Sequence, residues 1–236
     1  MSILAAAIAM TVGQTPSIKE FIQANLQDAS FTAKKVKSNQ KELQKINKDF
    51  AASYRFDSTK VQLKEPFMLR LESQVEDQSI VYILNGTKRR YRIPKAGIDV
   101  TEELAVQPGR RQTPLDFGIL TPSLFNGLFV AKYIRIDEKT KNVVFDLTYP
   151  PKLDDSTRNR IWVDPNKKTI TKREWYSQNG GFLIATFLYE DTKNINGVWV
   201  PTQLSVKNAE NKLAGTMGYT EISINKGIPA SVFSLK

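Results

Sequence analysis

The chain has 236 residues, of which 41% are hydrophobic, which is enough to form a large core in one domain. It contains no cysteine and no histidine, so thiol catalysis, disulfides, Cys/His zinc sites and histidine general-base catalysis are excluded. The formal net charge is +10, and a basic surface can attract nucleic acid, anionic lipid or an acidic protein.

The N-terminus carries a short apolar run from Ile3 to Val12. This run is too short to span a bilayer but has the length of a secretory signal core, with small residues before a cleavage point at Gln14. The alternative is a frayed apolar terminus. We predict that residues 1–13 are a signal-peptide remnant, that residues 14–236 form a single domain, and that the protein is exported.

The next segment predicts a long N-terminal helix. Thr15-Pro16 is typical of a helix start. The apolar residues that recur at helical spacing are Ile18, Phe21, Ile22 and Leu26. Residues 30–37 alternate weakly and predict a first strand. Asn39 with Glu42 then predicts a capped helix, or alternatively a long charged hairpin.

From Ala51 the hydrophobic period changes to two, which predicts consecutive antiparallel strands. Tyr54 and Phe56 belong to the first of these alternating stretches. Asn85-Gly86 predicts a hairpin turn between strands at 80–84 and 88–93, because both residues tolerate positive φ. Each strand then offers one apolar face.

Residues 96–118 interrupt the strand pattern and predict a long loop, and loops of this length inside domains are usually functional. Thr113-Pro114 and Thr121-Pro122 predict two short helices. The second carries an apolar stripe. Strands resume at 133–137 and 142–149, and residues 158–235 form a predicted antiparallel meander with an Asn196-Gly197 turn.

These elements predict a mainly β protein with helices (α+β). Its centre is a single large curved antiparallel sheet, because strand twist accumulates across a wide sheet. The long N-terminal helix and the short mid-chain helices are the expected cover for one face of that sheet.

Four stretches of the chain, in order, resemble the LolA/LolB-like outer-membrane lipoprotein-sorting family, of which the stress sensor RseB is a relative. They are Leu63-Lys64-Glu65-Pro66-Phe67-Met68-Leu69-Arg70-Leu71, Asn85-Gly86-Thr87 followed by Tyr91-Arg92-Ile93-Pro94, Ile161-Trp162-Val163-Asp164-Pro165, and Gly197-Val198-Trp199-Val200-Pro201 with residues 225–235. The resemblance implies an incomplete β-barrel covered by helices, with lipid acyl chains held in the cavity between them. It also implies a lid-locking arginine, for which Arg55 and Arg70 are both candidates.

Catalytic chemistry finds little support in the sequence. The adjacent carboxylates Glu102-Glu103, Asp154-Asp155 and Glu190-Asp191 point to opposite faces if they lie on strands, so they cannot act jointly on one substrate. No nucleophile elbow, P-loop or dinucleotide-binding glycine pattern is present. We therefore predict that the protein is not an enzyme and needs no cofactor or metal.

Apolar residues can be assigned to the wall and to the lid of a lipid cavity, the wall by strand parity and the lid by the apolar stripe of the second predicted mid-chain helix. The wall candidates are Phe67, Leu69, Leu71, Tyr91, Ile93, Phe145, Leu147, Phe182 and Ile184, and the lid candidates are Leu124, Phe125, Leu128 and Phe129. The alternative is that these side chains simply fill a solid core.

Arg89 is the most informative polar residue. If Tyr91 and Ile93 point inward, parity turns Arg89 inward as well, unless the register leaves it at the rim. A buried arginine needs a carboxylate or an anionic ligand head group as its partner. Arg89 is therefore the candidate head-group contact.

The resulting prediction is a non-enzymatic periplasmic carrier or binder of a lipid or lipoprotein acyl chain. The expected partners are that ligand, an envelope protein and, transiently, the membrane surface. Nucleic acid is not expected, because no zinc-finger, KH or RNP1-type motif accompanies the positive charges. The alternative function is an RseB-like envelope sensor or protein-interaction module.

Overall fold

The computed structural model describes residues 15–75, 77–178 and 180–236, in which β-strands are the main secondary structure. All strand pairs are antiparallel. The strands are β1 Asp28–Ser38, β2 Ser58–Lys64, β3 Met68–Val75, β4 Gln78–Asn85, β5 Lys88–Ile93, β6 Ile98–Glu103, β7 Val130–Ile136, β8 Val143–Thr148, β9 Arg158–Asp164, β10 Thr169–Tyr176, β11 Leu183–Glu190, β12 Lys193–Ile195, β13 Val198–Val200, β14 Gln203–Asn208 and β15 Leu213–Ile224.

Thirteen of these strands form one sheet, in the order β6-β5-β4-β3-β2-β1-β15-β14-β11-β10-β9-β8-β7, and β12 with β13 forms a separate hairpin. The strands β6 and β7 are the two free edges, so the sheet is not closed into a barrel. The predicted large curved antiparallel sheet is confirmed. The chain leaves one edge at Glu103 and enters the other at Val130, so residues 104–129 must bridge the opening.

The predicted long N-terminal helix is wrong. The described residues contain two short α-helices, α1 Gln40–Ile46 and α2 Lys48–Ser53. The N-terminal segment forms only the 3-10 turn Ile18–Phe21, which Ser17 and Glu20 cap reciprocally. Its helix does not continue, because the backbone N–H of Gln23 donates to Leu120 O (2.8 Å) instead of to its own preceding turn. The capped helix predicted after Asn39 is present, and the hairpin alternative is not.

Two other local predictions are wrong. The predicted loop 96–118 contains strand β6, whose residues are almost all exposed and so show no apolar alternation. Tyr54 is not on a strand. It follows α2, and its ring lies so close to Gly215 that a Cβ added to this glycine would overlap the ring. Residues 1–13, assigned above to a signal remnant, lie outside the described residues.

The core lies on one face of the sheet, which we call the inner face. One row of paired residues crosses this face from β15 to β7: Gly215, Val206, Phe187, Arg173, Ile161, Phe145 and Tyr133. Residues 104–129, here called the plug, cover this face. The plug contributes buried apolar side chains to the core, including Leu115, Leu120, Leu124 and Phe129.

The predicted mid-chain helices lie in the plug as the 3-10 turns Pro114–Phe117 and Pro122–Phe125. Both begin at the predicted Thr-Pro pairs, but each is only four residues long. Among residues 15–75, 77–178 and 180–236, no helix has both the length and the apolar character needed to cross a membrane.

The outer face of the sheet is partly covered by the C-terminal segment. Phe233 is fully buried there, and its carbonyl accepts a hydrogen bond from Asn85 Nδ2 (3.2 Å). Arg70 Nη1 donates to Val232 O (3.1 Å). The last residues therefore stabilise β3 and β4 from the side opposite the plug.

Candidate functional site

The space between the inner face and the plug is almost filled by side chains. The enclosed apolar cavity has a volume of about 10 Å³, which is room for about one water molecule. Its lining residues are Ala29, Phe31, Phe117, Ile119, Val200, Pro201, Tyr219, Ile222 and Ile224. This cavity is too small to hold an acyl chain.

Most of the predicted wall and lid residues are brought together. Leu69, Phe145, Leu147, Leu124, Leu128 and Phe129 are buried in the core, and Phe67, Leu71, Phe125 and Ile184 pack against it. Tyr91 and Ile93 are half-buried on β5, outside this cluster. Phe182 is 74% exposed in the turn before β11, so the structure does not place it with the others.

The plug is held to the sheet by a buried ion pair. Arg173, on β10, donates from Nη1 to Asp116 Oδ1 in the plug (2.9 Å), and the two side chains are 8% and 33% exposed. The Arg173 guanidinium also lies 4.0 Å from the centre of the Phe187 ring. Arg173 is thus a cation on an otherwise apolar wall, and its charge is balanced by the plug.

Buried tyrosines surround this ion pair. The Tyr189 hydroxyl donates to Leu115 O in the plug (3.1 Å). Burial raises the pKa of Tyr54, Tyr149 and Tyr189, so each is a neutral hydroxyl at physiological pH. The Tyr54 hydroxyl and Arg173 Nε are buried and have no hydrogen-bond partner. The site therefore has donors that the closed structure does not use.

Two further contacts fasten the other end of the plug. Ser123 donates to Glu65 from its backbone N–H (3.0 Å) and from its hydroxyl (2.7 Å). Leu120 O accepts the Gln23 N–H described above. Glu65 also lines an open cleft of about 450 Å³, with Lys64, Pro66, Pro122 and Ser123 among its other walls. This cleft is a mixed polar and apolar surface at the end of the plug.

The arginines named from the sequence lie elsewhere. Arg55 is exposed after α2, and Arg70 lies on the outer face, bonded to the C-terminal segment. Neither candidate for the lid-locking arginine therefore contacts the plug. For Arg70 the reason is parity, because its neighbours Leu69 and Leu71 point to the inner face. Arg89 does lie on the inner side of β5, where it is ion-paired with Glu102 and holds the pKa of that carboxyl below its usual value.

Arg173 was missed because a β-bulge changes the parity of its strand. The pairing of β10 with β9 shifts between Ile170 and Lys172, so both Ile170 and Arg173 face inward. Strict alternation from Ile170 would have turned Arg173 outward. The only sequence signal was the pair Lys172-Arg173, two residues before Trp175. Such a pair is equally typical of an exposed strand.

Asp116→Ala is expected to lower the free energy of unfolding by about 2–3 kcal/mol. The substitution leaves the Arg173 cation buried without its carboxylate, and such losses cost about 3–5 kcal/mol when both partners are fully buried. Asp116 is one-third exposed, which reduces the effect. Denaturant unfolding measures the change.

The control for this prediction is Asp57→Ala. Asp57 pairs with Lys35 at 2.7 Å but is 92% exposed, so its loss should change stability by less than about 0.5 kcal/mol. A second arm, Asp116→Leu with Arg173→Met, removes both charges and should recover most of the stability. Equal effects of the two aspartate substitutions would contradict a structural role for the buried pair.

Comparison with known proteins identifies the fold. The structure is similar to a candidate outer membrane lipoprotein-sorting protein domain from Vibrio parahaemolyticus, with a TM-score of 0.60, 10% sequence identity, and coverage of 92% of this chain and 93% of that one. It is similar to a LolA superfamily protein from Nitrosomonas europaea, with a TM-score of 0.54, 15% identity and 88% coverage of both chains. A DUF1329 family protein from Desulfovibrio piger aligns with a TM-score of 0.50, 9% identity and 92% coverage of both chains.

These similarities confirm the resemblance to the lipoprotein-sorting family at the level of fold. A family model described as "Uncharacterized protein" matches residues 128–236, the part from the end of the plug to the C-terminus. No curated protein matches the sequence. The chain therefore has the LolA-like fold, an unclosed curved sheet whose inner face is covered.

Proposed function

We propose that the protein is a non-enzymatic periplasmic carrier that binds a lipid or lipoprotein acyl chain on the inner face when the plug moves. One observation carries the proposal. The inner face is an apolar wall, and the segment that covers it is fastened by polar contacts at Arg173, Tyr189, Gln23 and Glu65. Two longer hydrogen bonds add to these, from the Ile170 N–H to Gly118 O and from the Gln112 N–H to the Tyr82 hydroxyl, both at 3.3 Å. The predicted wall and lid residues that lie in the core or pack against it would then contact the ligand.

The cost of moving the plug sets how much of it a ligand can displace. The plug buries seven apolar side chains in the core, namely Leu104, Leu115, Ile119, Leu120, Leu124, Leu128 and Phe129. Withdrawing all of them would cost about 10–21 kcal/mol, at about 1.5–3 kcal/mol for each. An acyl chain that buries about ten methylenes gains about 8 kcal/mol, which offsets about three to five of these side chains. Loading therefore requires a partial displacement of the plug or a ligand that carries more than one chain.

The test is organic extraction of the protein after purification without detergent, followed by mass spectrometry. The expected result is bound lipid at up to one molecule per protein molecule. Protein that is reloaded from vesicles should contain the lipid again. An absence of lipid, together with no binding of an added fluorescent acyl probe, would contradict the carrier function.

Arg89→Ala tests the rim of the same proposed site. If Arg89 contacts a head group, the substitution weakens binding of an anionic lipid several-fold and leaves binding of a neutral lipid of equal chain length unchanged. Binding constants for the two lipids, measured by displacement of a fluorescent acyl probe, decide this. Equal loss for both lipids would remove the head-group role of Arg89, and its pairing with Glu102 would then be structural.

A second candidate function is an RseB-like envelope sensor or protein-interaction module. The observation in its favour is that the cavity beneath Phe117 and Ile119 of the plug has a volume of only about 10 Å³. Under this function, the protein binds an envelope protein whether or not lipid is added. Affinity purification from an envelope extract, before and after lipid loading, separates the two functions, because a carrier exchanges partners when it is loaded.

A further inference from the structure

The ion pair beneath the plug places a cation where the head of a bound amphiphile would lie. Arg173 stands in the middle of the inner-face row, between Phe187 and Ile161. Its only carboxylate partner among the described residues is Asp116, which belongs to the plug. Any movement that opens the inner face therefore also separates Arg173 from its counter-charge. An exposed apolar wall with an unbalanced guanidinium is a site for a ligand that is both apolar and anionic.

Unused donors are present on this guanidinium and in the tyrosine cluster beside it. Arg173 Nε is buried without a partner in the closed structure, and so is the hydroxyl of Tyr54. The hydroxyls of Tyr54, Tyr189 and Tyr219 lie close enough to interact electrostatically with one another, and that of Tyr219 also with Arg173. Buried donors that stay unpaired are costly, so a group that accepts from them gains stability. A carboxylate or phosphate can accept from the guanidinium and from hydroxyls at once.

We propose that Arg173 and the neighbouring hydroxyls of Tyr189 and Tyr219 form a head-group site for an amphiphile with a single carboxylate or phosphate, and that Asp116 occupies this site when the plug is closed. The inference rests on the proposed carrier function and names its ligand class. Asp116 and the ligand compete for one cation, so loading the ligand releases the plug and closing the plug expels the ligand.

Arg89 is the other arginine on the inner side of the sheet, and the structure favours Arg173 over it. Arg89 lies on β5, one strand from the edge, and its partner Glu102 lies on the neighbouring strand β6. Because both residues belong to the sheet, movement of the plug does not separate them. Arg110 also donates to Glu102, at 3.1 Å, so this carboxylate bridges two cations. The charge of Arg89 thus stays balanced in an open form.

The experiment compares three ligands of equal chain length: palmitate, hexadecyl phosphate and hexadecanol. Dissociation constants come from displacement of a fluorescent acyl probe. We expect palmitate and hexadecyl phosphate each to bind the wild type at least tenfold more tightly than hexadecanol, since hydrogen bonds to a charged group are worth about this factor. Tighter binding of palmitate alone would identify the ligand as a fatty acid, and tighter binding of hexadecyl phosphate alone would identify it as a phospholipid. Either result supports the site.

Two variants test whether Arg173 causes the preference for the anionic ligands. Asp116→Asn and Arg173→Gln both break the ion pair, so both make the plug easier to open. We expect Asp116→Asn to tighten binding of all three ligands. We expect Arg173→Gln to tighten binding of hexadecanol only, because the two anions lose their contact with the guanidinium. Asp116→Asn keeps the cation, and the anion-to-alcohol ratio stays at least tenfold. Arg173→Gln removes the cation, and the ratio falls to about one. Arg173→Lys retains a charge and should restore part of the ratio, which also separates loss of charge from loss of folding.

The outcomes are distinct. If the wild type binds palmitate and hexadecanol equally, the head-group site is wrong while the carrier function stands. If Arg89→Ala removes the preference and Arg173→Gln does not, the site is at the rim and the inference is overturned. If the wild type binds none of the three ligands, the carrier function fails and the inference fails with it.

Discussion

Gly118→Ala is expected to destabilise the closed form by about 3 kcal/mol. Gly118 lies in the plug with φ +77°, a conformation that costs an L-residue about 1–2 kcal/mol. A Cβ at this position would also lie 2.6 Å from Tyr189 Cδ1 and 3.0 Å from Pro201 Cγ. Overpacking of this kind adds about 1–3 kcal/mol. Both costs apply only while the plug covers the inner face.

The measurement is denaturant unfolding together with trypsin cleavage at Arg110 and Arg111, which lie within the plug. If the plug can leave the sheet locally, a change of about 3 kcal/mol raises its open population on the order of a hundredfold. Cleavage at these two sites should then accelerate before the rest of the chain is digested.

Gly127→Ala is the matched control. Gly127 is also in the plug and also has positive φ, at +92°, but no atom lies within 4 Å of the position of a Cβ. This variant carries the backbone cost without the clash, so we expect a loss of about 1–2 kcal/mol. A Gly118 variant as stable as the Gly127 variant would show that the plug does not seat against Tyr189 as described.

The sheet could be predicted from the sequence because its signals are local. Asn196 and Gly197 both have positive φ, +52° and +79°, as the hairpin turn requires. Leu63, Leu69 and Leu84, which pair across β2, β3 and β4, are all buried in the core. The resemblance to the lipoprotein-sorting family depended on the same turns and strand ends. These features are set by residues within a few positions of each other.

The cover of the sheet could not be predicted because its structure depends on distant partners. Ile18, Phe21 and Leu26 are buried, as the apolar stripe indicated, but on a segment whose backbone bonds to Leu120, about a hundred residues away. Arg173 faces inward only because a bulge shifts the register of β10. Neither a tertiary hydrogen bond nor a bulge leaves a periodic trace in the sequence.

The charge of the candidate site depends on the plug as much as on the inner face of the sheet. The sheet alone presents an apolar surface, with Phe145 and Leu147 as typical members. The plug adds the charge that balances Arg173 and the carbonyl that satisfies Tyr189. Under the proposed opening, Arg173 would lose the carboxylate that balances its charge, and the inner face would change from a neutral core into a cationic apolar surface. This change does not occur in a protein whose core is permanently closed.

Fixing the plug to the sheet should abolish acyl-chain binding. The chain contains no cysteine, so Glu65→Cys with Ser123→Cys introduces a single pair of thiols. The native side chains are in hydrogen-bond contact, at 2.7 Å, so a short cleavable thiol cross-linker can join the replacements. The cross-linked protein cannot release this end of the plug. We expect no measurable displacement of a fluorescent acyl probe.

Reductive cleavage of the cross-linker should restore binding of the probe in the same sample. Without the Glu65–Ser123 hydrogen bonds, the plug of the reduced protein opens more easily, so this protein should bind the probe as tightly as the wild type or several-fold more tightly. The single-cysteine variants treated with the same reagent control for modification of the cleft. Equal binding by the cross-linked and reduced forms would place the ligand outside the inner face. The carrier would then load through a surface that the plug does not cover.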